Sequence, residues 1–215
     1  MSEVIKIANC SGFYGDNLSI AKKMVEDGPI DVLTGDYLAE LTMTILYNQR
    51  MKRGEDLGYV GTFLKQFRDV AKLCDDQKIK IVSNAGGLNP ASMAAEVENI
   101  IKDLKLDLKV AYIDGDDLMP RLDELSSSGE KLKNIDKNVD LFSYEKKPLT
   151  ANAYLGAWGI KEALDNGADV VICPRVTDAA VVIGPAAWKF NWSRNDYDQL
   201  AGALAAGHII ECGAQ

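Results

Sequence analysis

Small and polar residues concentrate in five short segments of the sequence, and each segment follows a run of apolar residues. Glycines in such segments let backbone N–H groups approach an anion closely, and aspartates can transfer protons or bind Mg²⁺. The segments therefore predict a site that binds a small-molecule substrate and acts on it by acid–base or metal chemistry. They cover residues 9–16, 35–37, 84–89, 114–117 and 174–178.

Two of these segments precede predicted helices, whose N-termini carry a partial positive charge that favours anions. The ligand-binding candidates are Ser11, Gly12, Gly15 and Asp16 in the first segment, and Asn84, Gly86 and Gly87 in the third. Ordinary turn chemistry is the alternative, because any strand-to-helix turn favours glycine and asparagine. Neither segment carries the G-x-x-x-x-G-K-[ST] or G-x-G-x-x-G signature of nucleotide binding, so the sequence assigns no cofactor.

Four charged residues are the catalytic candidates, namely Asp36, Asp116, Arg175 and Asp178. The three carboxylates would act as acid and base, or would hold a metal ion that the sequence does not identify. Arg175 follows a buried strand and is suited to a bidentate contact with a carboxylate or phosphate. Alternatives remain open, because Asp116 and Asp178 could cap helices and Arg175 could pair with Asp178 within the chain.

His208 is the only histidine, and it falls on an apolar stripe of the last predicted helix. We expect it to be packed in the core, although a nucleophilic pair with Cys212 on the same helical face also remains open. Cys10 precedes a predicted helix, where the pKa of a thiol could fall. The four cysteines form no C-x-x-C pair, which favours reduced thiols in a cytosolic protein.

Apolar runs alternate with helical patterns along the chain, and at least five of the runs are predicted strands. Continuous aliphatic strands are typical of a parallel sheet that is buried on both faces. The sequence thus predicts a single α/β domain over residues 1–215, with a mostly parallel sheet flanked by helices in a three-layer, Rossmann-like sandwich. A partial β/α barrel is the alternative, although too few strands are visible to close one.

In either architecture ligands bind at the carboxyl ends of the strands, so the five polar segments would share one rim. Residues 126–150 break the strand–helix alternation with serines, lysines and few apolar residues. We predict that they form an exposed excursion, with a short hairpin near residues 139–144.

The net charge of the chain is −8, from 32 acidic against 24 basic residues. This balance argues against a nucleic acid or an anionic membrane as the main partner. The amino terminus lacks the basic and apolar regions of a signal peptide, and no apolar run approaches the roughly 18 residues that span a bilayer. We therefore expect a cytoplasmic protein.

The polar loops resemble those of the acyclic terpene utilisation family (AtuA-like, formerly a domain of unknown function). The matching motifs are SGFYGD at 11–16, GDYLAELTM at 35–43, SNAGGLNP at 83–90, DGDDL at 114–118, ANAYLGA at 151–157, RVTD at 175–178 and HIIECGAQ at 208–215. The chain departs from the family pattern at Pro174, where members usually carry glycine. Family members are also longer, so the chain resembles their N-terminal half.

The resemblance implies a role in the catabolism of acyclic terpenoids such as citronellol and geraniol, alongside enzymes of branched acyl-CoA metabolism. We expect an enzyme that acts on a branched acyl-CoA ester, by hydration or dehydration or by cleavage next to a carbonyl. The first alternative is a non-catalytic subunit or binding module of an acyl-CoA enzyme complex. A nucleotide- or metal-dependent enzyme of another pathway also stays open, as do a homo-oligomer and a separate C-terminal partner chain.

Overall fold

Five short parallel strands form one open sheet in the computed structural model, which describes residues 3–211. The strands are β1 (Ile7–Asn9), β2 (Val32–Gly35), β3 (Lys80–Ser83), β4 (Val110–Tyr112) and β5 (Val170–Ile172). Their order across the sheet is β1-β2-β3-β5-β4, so β1 and β4 form its two edges. This arrangement confirms the predicted α/β fold with a parallel sheet. The barrel alternative is wrong, because the sheet stays open.

The aliphatic composition of the inner strands explains why both sheet faces are covered. Every residue of β2 and β5 is buried. In the middle of the sheet, Val171 is aligned with Val82 on one side and with Ala111 on the other. Strands that are apolar on both faces can be buried only between two layers, so the sequence requires helices on both sides.

The first helical layer consists of α1 (Ile20–Asp27), α2 (Glu40–Arg53), α3 (Gly61–Gln77) and α4 (Pro90–Leu104). Helix α3 directs an apolar stripe towards the sheet, and Phe63 and Phe67 of this stripe lie buried in the core cluster of the layer. Pro90 occupies the first turn of α4, as expected for a residue without a backbone N–H. The side chain of Asn89 caps the same helix by accepting a hydrogen bond of 3.2 Å from the backbone N–H of Ser92.

The second layer consists of α6 (Trp158–Asp165) and α7 (Ala180–Lys189), with α8 (Tyr197–Ile210) packed against α7. Gly184 permits the close approach of α7 to α6, because a Cβ atom there would lie 2.5 Å from Cγ2 of Ile160. Among residues 3–211, no helix is both long enough and apolar enough to cross a membrane.

Helix α8 packs against the protein through a face of small residues, whereas the sequence pattern predicts the face that carries its larger apolar residues. Ala203 and Gly207 are its buried residues, and a Cβ atom at Gly207 would lie 2.8 Å from Cβ of Ala179. The predicted core position of His208 is therefore wrong, since its side chain is 83% exposed. Small residues let two helices approach closely, and the contact of Gly207 with Ala179 is such an approach.

Residues 126–150 connect the two layers, and none of them is buried. The short helix α5 (Leu122–Ser127) leads into this segment. The predicted hairpin is wrong, because the chain forms a 3-10 turn at Leu141–Ser143 instead. The side chain of Asp140 accepts a hydrogen bond of 3.0 Å from the backbone N–H of Phe142, a local contact that favours a turn over a strand.

The neighbouring parallel strands β3 and β5 are followed by connections that run to opposite faces of the sheet. The loop after β3 leads into α4 on one face of the sheet, whereas the loop after β5 leads into α7 on the other. The two loops therefore separate at the carboxyl edge of the sheet. Such a switch point is where open α/β sheets bind their ligands.

Candidate functional site

The loops at the carboxyl ends of the five strands are joined to one another by hydrogen bonds. Four of these bonds run from Asp36 N to Ser11 O (3.0 Å), from Asn84 N to Gly35 O (3.3 Å), from Gly86 N to Cys173 O (3.0 Å) and from Arg175 N to Asp116 Oδ2 (3.2 Å). The prediction that these distant segments share one rim is confirmed. We call this set of loops the carboxyl rim.

Asp36 lies directly after β2, and it is only 3% exposed. The Nδ2 group of Asn84 donates a hydrogen bond to Asp36 Oδ1. Asn84 is itself fixed, because its Oδ1 accepts a hydrogen bond of 2.8 Å from the backbone N–H of Tyr37. Burial raises the pKa of Asp36 to about 7, against the opposing effect of the Asn84 hydrogen bond, and the nearby charges of Asp178 and Glu211 raise it further.

Asp36, Asp178 and Glu211 form an acidic cluster in which one carboxylate oxygen from each lies within 4.8 Å of the others. Three carboxylates at such distances either share protons or together contact a cation such as Mg²⁺, Mn²⁺ or Ca²⁺. Asp178 does not cap α7 by a side-chain hydrogen bond, so the helix-capping alternative for it is wrong. Glu211 was not singled out from the sequence, because nothing in its local pattern places it beside two distant aspartates.

Arg175 is buried, with an exposure of 4%. Its Nη1 donates a hydrogen bond of 2.6 Å to the backbone oxygen of Leu38, and its Nη2 lies 3.5 Å from Asp178 Oδ1. The intramolecular pair that the sequence left open is therefore present. Arg175 also leaves several of its five N–H donors without a hydrogen bond among residues 3–211, so it retains capacity to bind an oxygen.

Tyr154 covers the Arg175 side chain, with the guanidinium carbon 4.1 Å from the centre of the ring. The hydroxyl of Tyr154 donates a hydrogen bond to Glu40 Oε1, and this bond is the main cause of a lowered pKa at Glu40. Tyr154 is 50% exposed. Sequence reasoning missed both residues; the only signal is that each lies within a motif shared with the resembling family.

The carboxylate of Asp116 links two other segments of the carboxyl rim by hydrogen bonds. Its Oδ2 accepts hydrogen bonds from the backbone N–H of Arg175 (3.2 Å) and from Nδ2 of Asn152 (2.8 Å). Burial raises the pKa of Asp116, although both hydrogen bonds oppose the increase. Its neighbour Asp117 makes a local turn contact instead, because its Oδ1 accepts a hydrogen bond of 2.9 Å from Met119 N two residues later. These contacts make Asp116 a residue that positions Arg175.

In the first loop, at residues 9–16, the carboxylate of Asp16 accepts hydrogen bonds from residues of the same loop. Oδ2 of Asp16 accepts hydrogen bonds from the backbone N–H of Gly12 (2.7 Å) and from the hydroxyl of Ser11 (3.3 Å). A Cβ atom at Gly15 would lie 2.6 Å from the ring of Phe13, so a side chain there would require this exposed ring to move. The Gly12 N–H thus already has an anionic partner, and the ligand-binding role of this loop stays a prediction.

The glycines of the third loop serve close packing. The Gly86 N–H donates to Cys173 and the Gly87 N–H donates to Asn84 O at 3.2 Å, so both are used inside the protein. A Cβ atom at Gly86 would lie 2.6 Å from the Cys173 oxygen, and Gly87 has a φ of +54°. The loop holds Asn84 against Asp36, and direct ligand contact by its glycines stays a prediction.

Asn9 connects the rim to the end of α8. Its Nδ2 group donates to the backbone oxygens of Ser11 (2.9 Å), Ile210 (3.0 Å) and Glu211. These bonds fix the backbone that carries the Glu211 carboxylate. The only signal for this role in the sequence is weak, namely a polar residue at the end of an apolar strand.

The described cysteines, Cys10, Cys74 and Cys173, are buried free thiols. Burial raises the pKa of Cys10 to about 12, so the expected decrease at this position is wrong. Cys212 lies outside the described residues, and so does the pair with His208 that the sequence left open.

A profile of the family described as "Acyclic terpene utilisation family protein AtuA" matches residues 5–215, which is nearly the whole chain. Comparison with curated proteins gives no significant match. The family match agrees with the resemblance carried by the rim motifs.

Proposed function

The chain belongs to the acyclic terpene utilisation family, and from this membership we propose that it is an enzyme acting next to the carbonyl of an acyclic, branched acyl-CoA ester. The reaction would be hydration or dehydration, or cleavage of a bond beside the carbonyl. The family gives a role in acyclic terpene utilisation. The reaction and the CoA ester are our proposal.

The observation that carries the proposal is the raised pKa of the buried Asp36 carboxyl. A general acid–base works best when its pKa lies near the working pH, and burial raises the pKa of Asp36 to about 7. Perturbed carboxyl groups at a switch point are candidates for catalysis. Asp36 would take the proton from the carbon beside the carbonyl, or would return it to that carbon.

Two neighbours of Asp36 would serve the proton transfer. Asn84 holds the Asp36 carboxyl in one orientation through its hydrogen bond. The Asp178 side chain is 37% exposed, so it would exchange protons between Asp36 and solvent.

Arg175 would bind the carbonyl or carboxylate oxygen of the substrate. Its guanidinium carries unused donors, and the half-exposed ring of Tyr154 is its cover on the solvent side. A substrate would displace Tyr154 and accept hydrogen bonds from the guanidinium, which would stabilise negative charge on the oxygen as the proton leaves.

The test is turnover of a panel of acyclic branched acyl-CoA esters, saturated, unsaturated and hydroxylated, with products identified by mass spectrometry. We expect Asp36→Asn to lower turnover by about 100-fold or more, the usual contribution of a general acid–base. Asp114→Asn is the matched control, because this aspartate lies on the same rim but is exposed. Equal turnover by Asp36→Asn and Asp114→Asn would refute the role of Asp36.

One observation favours the second candidate, a non-catalytic binding module of an acyl-CoA enzyme complex. Asp36, Asp116 and Arg175 are all buried, as residues with a purely structural role would be. A binding module would capture carboxylase subunits in a pull-down yet turn over none of the esters. An enzyme would gain thermal stability from its substrate ester in the absence of any partner.

A further inference from the structure

The edge strand β4 carries main-chain groups that no other strand within residues 3–211 uses. β4 pairs only with β5 among the described strands. In a parallel pair, alternate residues direct their N–H and C=O groups to the same neighbour. Lys109 O and Ile113 N bond to β5, so the alternation directs the N–H and C=O groups of Val110 and Tyr112 away from the sheet.

This edge forms the floor of a groove of about 570 Å³. One wall is α4, which contributes Glu98 and Lys102, and the other is the carboxyl end of α6, which contributes Ala163 and Asn166. Val110 packs with the first helical layer and Ala111 packs with the second. The groove is therefore open at the sheet edge with a helix on each side, which is the shape that accepts one more strand.

We propose that this groove pairs with the same groove of a second copy of the chain, so that two β4 strands meet antiparallel around a two-fold axis at Ala111. This register places Val110 of each copy opposite Tyr112 of the other. Both residues direct their main-chain groups outwards, so the pair makes four N–H···O=C bonds. The edge is self-complementary, as a two-fold interface must be.

The charges along the groove favour the same partner. In an antiparallel pair of α4 helices, Glu98 of one copy lies beside Lys102 of the other, because the two residues are one helical turn apart on the same wall. Neither residue has an ion pair among residues 3–211. The same geometry brings Lys109 at the start of β4 towards Asp114 after its end. An acidic peptide would form ion pairs with Lys102 and Lys109 only, whereas a second copy also supplies cationic partners for Glu98 and Asp114.

The pairing would build one continuous sheet of ten strands from two five-stranded sheets. Because the two β4 strands run in opposite directions, the two carboxyl rims would face opposite ends of the dimer. Each rim keeps its own residues, so this proposal is independent of the reaction proposed above.

The first test is the molar mass of the full chain by sedimentation velocity and light scattering over a range of protein concentrations. We expect a dimer, and we expect Tyr112→Pro to raise its dissociation constant by at least about 30-fold, because it removes two of the four bonds. Proline at this position leaves the bonds to β5 intact, since it removes only an outward N–H. A wild-type chain that stays monomeric would overturn the proposal, and so would a dimer that Tyr112→Pro leaves unchanged.

The second test uses charge reversal, which does not touch the strand. Glu98→Lys alone and Lys102→Glu alone should each weaken the dimer, because each places like charges together across the axis. The double variant Glu98→Lys, Lys102→Glu should restore it. Lys65→Glu is the control, as an exposed lysine on α3 away from the groove. A double variant weaker than both single variants would contradict the two-fold geometry.

Discussion

Replacing Asp36 by asparagine removes an ionisable group and keeps its shape and its ability to accept the hydrogen bond from Asn84. The wild-type carboxyl has its pKa raised from 3.8 to about 7. The folded protein therefore holds this proton more tightly than the unfolded chain does. Asp36→Asn should abolish the part of the pH dependence of stability that comes from this difference.

The sign and size of the effect follow from proton linkage. Below pH 3.8 both states carry the proton and Asp36 costs nothing, whereas above pH 7 the folded state must bury a charge. Between these values the free energy of unfolding of the wild type falls as the pH rises. Three units of pKa correspond to about 4 kcal/mol, which is an upper value and a large part of the stability of a typical domain.

The assay is urea denaturation of the wild type and Asp36→Asn at several values between pH 4.5 and 8.5. The free energy of unfolding comes from linear extrapolation. We expect the stability of the variant relative to the wild type to rise from pH 4.5 to about pH 7 and then to level off, so that the variant is the more stable protein at pH 8. Asp114→Asn should follow the wild type.

A constant difference between wild type and Asp36→Asn from pH 4.5 to 8.5 would refute the reasoning. It would mean that the Asp36 carboxylate is compensated at neutral pH, by a bound cation or by water. Repeating the titration with EDTA and with Mg²⁺ would identify a cation, because only the wild type would respond strongly.

Two further predictions concern stability at the rim. Gly86→Ala should destabilise the protein by about 1–3 kcal/mol, because its Cβ would lie 2.6 Å from the Cys173 oxygen and 2.8 Å from Pro90. Gly202→Ala is the control, because the space around Gly202 is open, and it should be neutral or stabilising by up to about 1 kcal/mol. Asp116→Ala should cost about 2 kcal/mol or more, because it leaves the Arg175 N–H and the Asn152 amide without their acceptor. Urea denaturation measures both, and a Gly86→Ala variant as stable as wild type, or an Asp116→Ala variant within 0.5 kcal/mol of it, would contradict these contacts.

The architecture could be predicted because its signals are local. Aliphatic runs such as 170–172 are long enough to specify buried strands, and the segment that follows each strand must then lie at the same edge. The shared direction of the strands is therefore enough to predict that Asp36, Asn84 and Arg175 lie on one rim.

The details of the rim could not be predicted because they depend on contacts between distant residues. Glu211 joins Asp36 only through the packing of α8, which Gly207 and Ala203 decide, and the larger residues of that helix pointed to the opposite face. Likewise, the sequence shows that Gly12 can donate to an anion but not that Asp16 already accepts that bond. The local sequence shows which hydrogen bonds a group can form, whereas tertiary packing decides which partner it has.

The most direct test of Asp36 as the acid–base is the exchange of hydrogen beside the carbonyl of a substrate ester in D₂O. We expect the wild type to incorporate deuterium at that carbon, in the ester or its product, with a rate that depends on a group of pKa near 7, and we expect no incorporation by Asp36→Asn. If both proteins incorporate deuterium at the same rate, for an ester that the wild type turns over, Asp36 is not the acid–base.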